Sequence, residues 1–228
     1  TYGARTIVID SLNGYQAAMS GEQALVLHIH ELLQYLNRQG ATTFLTIAQH
    51  GVVDHMRSPV DLTYLADTVL LLRYFEVRGR VRRAMSVIKK RTGAHEDTIR
   101  EYQIGSRGIT LGEPLTGFQG ILRGVPELVA LMSGGPLRGT STLITGPAGT
   151  GKTTIALQYA YAACERGERA IIYQFDERIG TLLARARAFN LDLQKHLDSG
   201  LLIVEQIDPA ELSPGEFAAR VRRQVEED

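Results

Sequence analysis

The stretch Gly146-Pro147-Ala148-Gly149-Thr150-Gly151-Lys152-Thr153-Thr154 decides the fold of this chain. It follows an apolar run at residues 142–145 and precedes a helical pattern at residues 155–160, which is the strand, loop and helix order of a phosphate-binding loop. Glycines let the backbone approach a polyphosphate, and the start of the helix adds the positive end of its dipole. The whole stretch therefore predicts nucleotide contacts, with Lys152 on the β- and γ-phosphates and the Thr153 hydroxyl on Mg²⁺.

Composition places the chain among ordinary globular proteins. Its 228 residues are 44% hydrophobic and 22% charged, which suits one large α/β domain with a sizeable core. Lys plus Arg equals Asp plus Glu at 25 each, so no global basic bias favours nucleic acid or an acidic membrane. A single cysteine, Cys164, excludes a disulfide framework. With no membrane-length apolar run and no signal peptide at the N-terminus, we expect a cytoplasmic protein.

Carboxylates follow two runs that are typical of buried strands. Residues 6–11 are rich in β-branched side chains and reach Asp10, at the strand end where ligands bind in open α/β sheets. Asp10 is therefore a candidate to hold Mg²⁺ through its water shell. Residues 170–175 lead to Asp176 and Glu177, a pair that can supply a general base for attacking water and a second acid near the metal. For Asp176 the alternative is a helix cap.

Periodicity predicts the remaining elements. Residues 22–39 have the spacing of an amphipathic helix stopped by Gly40, and residues 43–50 indicate a strand whose last residues, Gln49 and His50, are candidates for the γ-phosphate rim. Residues 68–75 and 80–91 predict a hairpin with Gly79 at its turn, followed by a β-rich edge up to residue 111. Residues 213–216 form a capping box before a last helix.

Basic residues are dense on the second strand of that hairpin. Seven of the fourteen residues from 78 to 91 are Lys or Arg. Because side chains alternate along a strand, Lys89 and Arg91 share one face and Lys90 points to the other. The density favours a contact with phosphate or nucleic acid, and the alternative is a solvated basic hairpin.

The order of the elements is unusual. Alternating strands and helices predict an α/β fold, a three-layer P-loop domain with a mostly parallel central sheet and an antiparallel β edge. Yet the strand ending at Asp10 precedes the phosphate loop, which is the reverse of the usual P-loop order. The density of glycine and proline rises between residues 112 and 136, which divides the chain into residues 1–116, a connector at 117–136 and residues 137–228. Joining the last helix to the first strand would give an ordinary helix, loop and strand, which predicts a single circularly permuted domain.

Several motifs together identify a family resemblance. They are GPAGTGKT at residues 146–153, FDER at 175–178, VIDSLN at 8–13, ADTVLLL at 66–72 and KKR at 89–91. Over essentially its whole length, once the order is rotated, the chain resembles KaiC-type ATPases of the RecA-like superfamily. Tandem domains are common in that family, so the chain is either a slice across two neighbouring domains or an engineered permutant, and the smooth join of its ends favours the second.

The resemblance implies an ATP-hydrolysing ring, usually a hexamer, that binds ATP or ADP with Mg²⁺ between subunits. It implies that Glu177 is the general base, that Asp176 and Asp10 lie near the metal, and that Lys89 and Arg91 reach a neighbour's phosphates. Lys90 and His95 would approach the nucleotide from that same side, and Thr63 is a candidate for self-phosphorylation.

Two other functional classes remain as alternatives. A recombinase-like, DNA-dependent ATPase would use the basic hairpin, although the near-zero net charge and the lack of an aromatic stacking platform argue against it. A nucleotide-binding scaffold with little turnover would keep the loop without a working subunit interface. We expect no membrane contact, and residues 187–189 are the place to look for adenine contacts.

Overall fold

The computed structural model describes residues 2–17, 22–48, 62–77, 79–106, 108–115 and 136–225. Its strands are β1 (Thr6–Asp10), β2 (Thr42–Ala48), β3 (Thr68–Val77), β4 (Arg80–Lys90), β5 (Ile99–Gly105), β6 (Gly108–Pro114), β7 (Ser141–Gly146), β8 (Ala170–Gln174) and β9 (Leu202–Gln206). The described helices are α1 (Leu12–Ala17), α2 (Glu22–Arg38), α3 (Lys152–Glu165), α4 (Ile179–Ala188), α5 (Leu193–Asp198) and α6 (Pro214–Val225).

All of these strands form one sheet, in the order β6-β5-β4-β3-β7-β2-β1-β8-β9. The six strands from β3 to β9 in that order are parallel, while β4, β5 and β6 continue the sheet as antiparallel strands. The predicted α/β class, with a parallel centre and an antiparallel edge, is confirmed. Both halves of the chain contribute to the sheet, and the circular permutation itself stays a prediction.

The helices cover the sheet on both faces. Ile7 and Ile9 of β1 belong to a core cluster with side chains of α1, α2 and α6, whereas Val8 between them packs in a second cluster with side chains of α3, α4 and α5. Successive side chains of a strand point to opposite faces, so a strand buried on both sides is apolar at every position. The result is the expected three-layer arrangement. None of the helices in the described ranges has the length and apolarity to cross a bilayer.

The element ends agree with the sequence signals, with small shifts. Gly40, at φ 72°, follows α2, and Ser213 and Glu216 exchange the hydrogen bonds of a capping box before α6. Strand β2 ends at Ala48, so the candidates Gln49 and His50 lie outside the described residues. The proposed connector at 117–136 lies outside them too, except for its last residue.

The β3–β4 hairpin separates the basic residues into two groups. Gly79, at φ 69°, occupies its turn. Arg82 near this tip forms an ion pair with Glu101 at 2.9 Å, while Lys89 and Arg91 lie at the far end of β4. At about 3.3 Å per residue, Arg82 and Lys89 are roughly 23 Å apart along the strand. They do not form one continuous basic surface along the strand.

We expect the mutation Phe217→Ala to destabilise the protein by about 3–5 kcal/mol, because it leaves a cavity in a packed core. Phe217 is 1% exposed, and its ring lies 5.1 Å from those of Tyr15 and Tyr173 and 5.3 Å from that of Phe175. Chemical denaturation measures the loss. The control is Leu27→Ala at a position that is 56% exposed, where we expect a change within about 0.5 kcal/mol. Equal losses in the two variants would contradict this placement of the core.

Candidate functional site

The phosphate-loop sequence forms a tight turn between β7 and α3. Gly151, at φ 91°, is the residue before the helix, and a Cβ there would lie 2.7 Å from Cδ1 of Ile104. At Gly146 a Cβ would lie 2.4 Å from the carbonyl oxygen of Leu72. The left-handed backbone conformation disfavours a side chain at Gly151, and the neighbouring strand leaves no space for one at Gly146. The loop therefore has the close-set backbone that phosphate binding requires.

Lys152 is a buried amine in the centre of this loop. Its Nζ donates hydrogen bonds to the carbonyl oxygens of Gly146 at 3.0 Å and Pro147 at 2.9 Å. Burial lowers the pKa of Lys152, whereas the charges of Asp10 and Asp176 act to raise it. A desolvated ammonium held by neutral carbonyls gains the most from an anionic ligand, so this side chain fits a phosphate.

Three side chains from the neighbouring strands β3, β4 and β5 hold the loop backbone. The hydroxyl of Tyr74 donates to the carbonyl oxygen of Ala148 at 3.1 Å, and Nε of Arg83 donates to that of Gly149 at 3.4 Å. The buried hydroxyl of Tyr102 donates to the carbonyl oxygen of Thr150. Sequence reasoning missed all three, because their partners are main-chain atoms far away in the chain.

Two carboxylates lie where neighbouring parallel strands end. Asp10 is buried and accepts a hydrogen bond from Oγ1 of Thr46, while Asp176 accepts one from Oγ of Ser11. Strands β1 and β8 pair up to Asp10 and Gln174, which brings the two acids to the same edge as the phosphate loop. The alternative of Asp176 as a helix cap is wrong, because the residue at the cap of α4 is Arg178 and no side chain caps it.

Glu177 is the third acid of this edge. Its Oε1 accepts a hydrogen bond from a guanidinium nitrogen of Arg185 at 2.6 Å. Burial raises the pKa of Glu177, the positive charge of Arg185 lowers it, and the negative charge of Asp10 raises it further. A carboxylate whose proton affinity is increased in this way suits general-base chemistry.

The described residues contain no group of three or more His, Cys, Asp or Glu side chains that could hold a metal ion. Mg²⁺ in a nucleotide site needs no such group, because it keeps several waters and takes phosphate oxygens with only one or two protein ligands. The candidate ligands are the Thr153 hydroxyl, at the cleft, and the carboxylates of Asp10 and Asp176.

A cleft of about 340 Å³ opens beside the loop. Phe189 and Arg185 both line this cleft. Phe189 belongs to the stretch 187–189, in which we expect adenine contacts. The lining residues are Ile104, Gly149, Gly151, Lys152, Thr153, Thr154, Arg185 and Phe189.

The remaining candidates lie at the opposite edge of the sheet. Lys89 donates to the carbonyl oxygens of Thr63 at 2.7 Å and Tyr64 at 3.2 Å, and Arg91 donates to that of Tyr64 at 2.5 Å. Lys90 pairs with Thr68, the first residue of β3, so it lies at the amino end of this strand. Strand β7 runs parallel to β3, and the phosphate loop follows its carboxyl end. The structure therefore does not bring Lys89, Lys90 and Arg91 to the loop of their own chain.

His95 belongs to the same edge. It lies half-buried in the segment between β4 and β5. Glu96 in this segment forms an ion pair with the buried Arg100 of β5. Thr63, the candidate for self-phosphorylation, lies in the turn that Lys89 contacts.

The sequence profile described as "ATPase: KaiC" matches residues 1–116 and 121–227 of this chain, which is nearly all of it. The chain belongs to the KaiC family of ATPases. Membership of the KaiC family confirms the resemblance that the motifs indicated, and it supports an ATP-binding P-loop domain.

Curated KaiC proteins are similar over most of the chain. The circadian clock protein KaiC2 of Synechocystis sp. is 29% identical over 216 residues, which cover 91% of this chain and 38% of the relative. The circadian clock oscillator protein KaiC of Synechococcus elongatus is 27% identical over 217 residues, covering 88% of this chain and 40% of the relative. The chain thus spans about two fifths of the length of these KaiC proteins.

We expect the mutation Gly151→Ala to destabilise this KaiC-family chain by about 1–2 kcal/mol, because alanine pays a steric penalty in the left-handed region. The contact with Ile104 adds to that loss. The matched control is Gly180→Ala in α4, where a Cβ meets nothing within 4 Å and we expect a gain of about 0.5–1 kcal/mol. Thermal or chemical unfolding measures both, and a neutral Gly151→Ala variant would contradict the loop geometry.

Proposed function

We propose that the protein binds ATP with Mg²⁺ and hydrolyses it. The observation that carries this proposal is the buried Lys152 amine, held only by loop carbonyls in the hydrogen bonds described, beside a cleft that also borders Arg185. Glu177, the partner of Arg185, lies at the same edge. A phosphate-binding cation and a carboxylate base on one side of the sheet are the two parts that ATP hydrolysis needs.

The roles follow from the positions. The loop amides and Lys152 would bind and orient the β- and γ-phosphates, and Glu177 would accept a proton from the attacking water. Thr153, Asp10 and Asp176 would hold Mg²⁺. When bound, the metal ion would neutralise charge that develops on the phosphate oxygens. Asp176 is shorter than the glutamate usual in the family, and its hydrogen bond from Ser11 directs it toward the end of β1.

The first test is the variant Glu177→Gln, which removes the base and keeps the shape of the side chain. We expect it to bind a fluorescent ATP analogue normally while steady-state turnover falls by about 100-fold or more, the range typical for a general base. The control is Glu211→Gln at an exposed position between β9 and α6. Undiminished turnover in Glu177→Gln would rule out the assigned base.

We propose further that Lys89 and Arg91 act on the nucleotide of a neighbouring copy in a ring. Their distance from their own loop supports this, as do the exposed apolar side chains beside them, Tyr64 at 51% and Ile88 at 49%. Aromatic residues and arginine are enriched at interfaces between subunits. Lys90 and His95 belong to the same proposed contact, and Thr63 is the candidate for weak self-phosphorylation there.

A mixing experiment tests the shared site. Lys152→Ala lacks the phosphate cation and Arg91→Ala lacks the cation that would act across the interface, so we expect each variant alone to be inactive. Mixed in equal amounts with Mg·ATP, the two should recover part of the turnover, because some interfaces then combine two intact contributions. Light scattering should show a particle of about six chains under these conditions. Full activity of Arg91→Ala alone would contradict the role of Arg91 across an interface. A persistent monomer with little turnover would contradict the ring proposal and favour a nucleotide-binding scaffold.

A further inference from the structure

The ion pair between Arg185 and Glu177 joins two parts of the site that are separate in sequence. Glu177 lies in the short segment between β8 and α4, and Arg185 lies in the second turn of α4. The guanidinium reaches Oε1 of Glu177 at 2.6 Å, with the Arg185 side chain 37% exposed and that of Glu177 15% exposed. This distance is at the short end of charge-assisted hydrogen bonds, which are the stronger kind.

Arg185 also borders the candidate nucleotide cleft. The cleft is lined by residues of the phosphate loop together with Arg185 and Phe189. A guanidinium carries five N–H donors in a rigid fork, so one edge can hold a carboxylate while other donors remain available to a ligand. The side chain is therefore in contact with the carboxylate and borders the space that a nucleotide would fill.

We propose that Arg185 is the positioning residue of Glu177: it fixes one carboxylate oxygen, so that the other oxygen is presented to the attacking water. The proposal rests on the proposed function, in which Glu177 is the base. No sequence motif indicated Arg185, because the pair depends on the path of the chain from β8 into α4.

The geometry explains why this residue would matter for the reaction. Glu177 follows a strand but precedes the helix, so no regular main-chain element fixes its side chain. A carboxylate with free rotation about its side-chain bonds would spend most of its time away from the water that it must activate. A misplacement of about 1 Å in a catalytic group can lower a rate by about 100-fold. An ion pair from the rigid, half-buried helix α4 removes that freedom.

The test uses the variants Arg185→Met and Arg185→Lys, with Arg223→Met as the control. Arg223 is an exposed arginine of α6, on the opposite face of the sheet. For Arg185→Met we expect kcat to fall about 10- to 100-fold, while the Kd of fluorescent ADP changes by less than about threefold. Arg185→Lys keeps a positive charge within reach of Glu177 and should recover part of the lost kcat. The control should match the wild type.

A second measurement needs neither nucleotide nor turnover. Thermal unfolding of Arg185→Met, Glu177→Gln and the double variant, all without ligand, forms a double-mutant cycle. We expect non-additive shifts, because either single change already removes the charge pair. Additive shifts would overturn the proposal, since they would mean that the pair does not form in solution.

The outcomes separate this proposal from the proposed function. An unchanged kcat in Arg185→Met, with turnover lost in Glu177→Gln, overturns only the role of Arg185. A loss of ADP affinity with kcat intact also overturns it and makes Arg185 a nucleotide-binding group. Full turnover in Glu177→Gln rules out Glu177 as the base and overturns this proposal with it, whereas only a wild-type protein without ATP turnover overturns the proposed function.

Discussion

Strand β7 pairs in parallel with β2 on one side and β3 on the other, and the site depends on that insertion. All six residues of β7 are buried, so its position is fixed by packing on both faces as well as by both ladders. Gly146, its last residue, lies opposite Ala48 of β2. The phosphate loop therefore leaves the sheet at the edge where β1 and β8 present Asp10, Asp176 and Glu177. Because β7 comes from the second half of the chain and its neighbours come from the first, neither half builds the site alone.

The same sheet also separates the candidate residues. Parallel strands gather the loop and the acids at their carboxyl ends, whereas β4 runs in the opposite direction and carries Lys89 and Arg91 back to the amino ends. A bulge between Val69 and Leu70 shifts the register just before this point, where Ile88 is left exposed. Lys89 and Arg91 are held there by the carbonyl oxygens of residues 63 and 64. They cannot contact a nucleotide in the loop of their own chain without large movements. Strand direction is thus the physical reason why the proposed function includes a second copy.

Local signals in the sequence predicted most of the fold and part of the site. The loop, the β-branched runs that lead to acids and the capping box at Ser213 each depend on neighbouring residues, and these elements formed as expected. The contact of Tyr102 with Thr150 spans 48 positions of the sequence, and that of Ser11 with Asp176 spans 165. No periodicity or motif encodes such pairs. They follow only from the order of strands in the sheet. The mistaken capping alternative for Asp176 has the same origin, because Ser11, the residue after β1, takes its carboxylate.

The hydrogen bonds from Tyr74, Arg83 and Tyr102 to three successive loop carbonyls hold the backbone of the loop in the absence of a ligand. Each bond fixes the plane of one peptide unit, and a peptide plane with its oxygen held has its N–H direction held as well. The amides that would face a phosphate are therefore oriented before any ligand arrives. Loss of main-chain freedom normally opposes binding by about 1–2 kcal/mol for each residue that becomes ordered. In this loop that loss belongs to folding, and strands β3, β4 and β5 act as a template that keeps the anion site in its receptive shape.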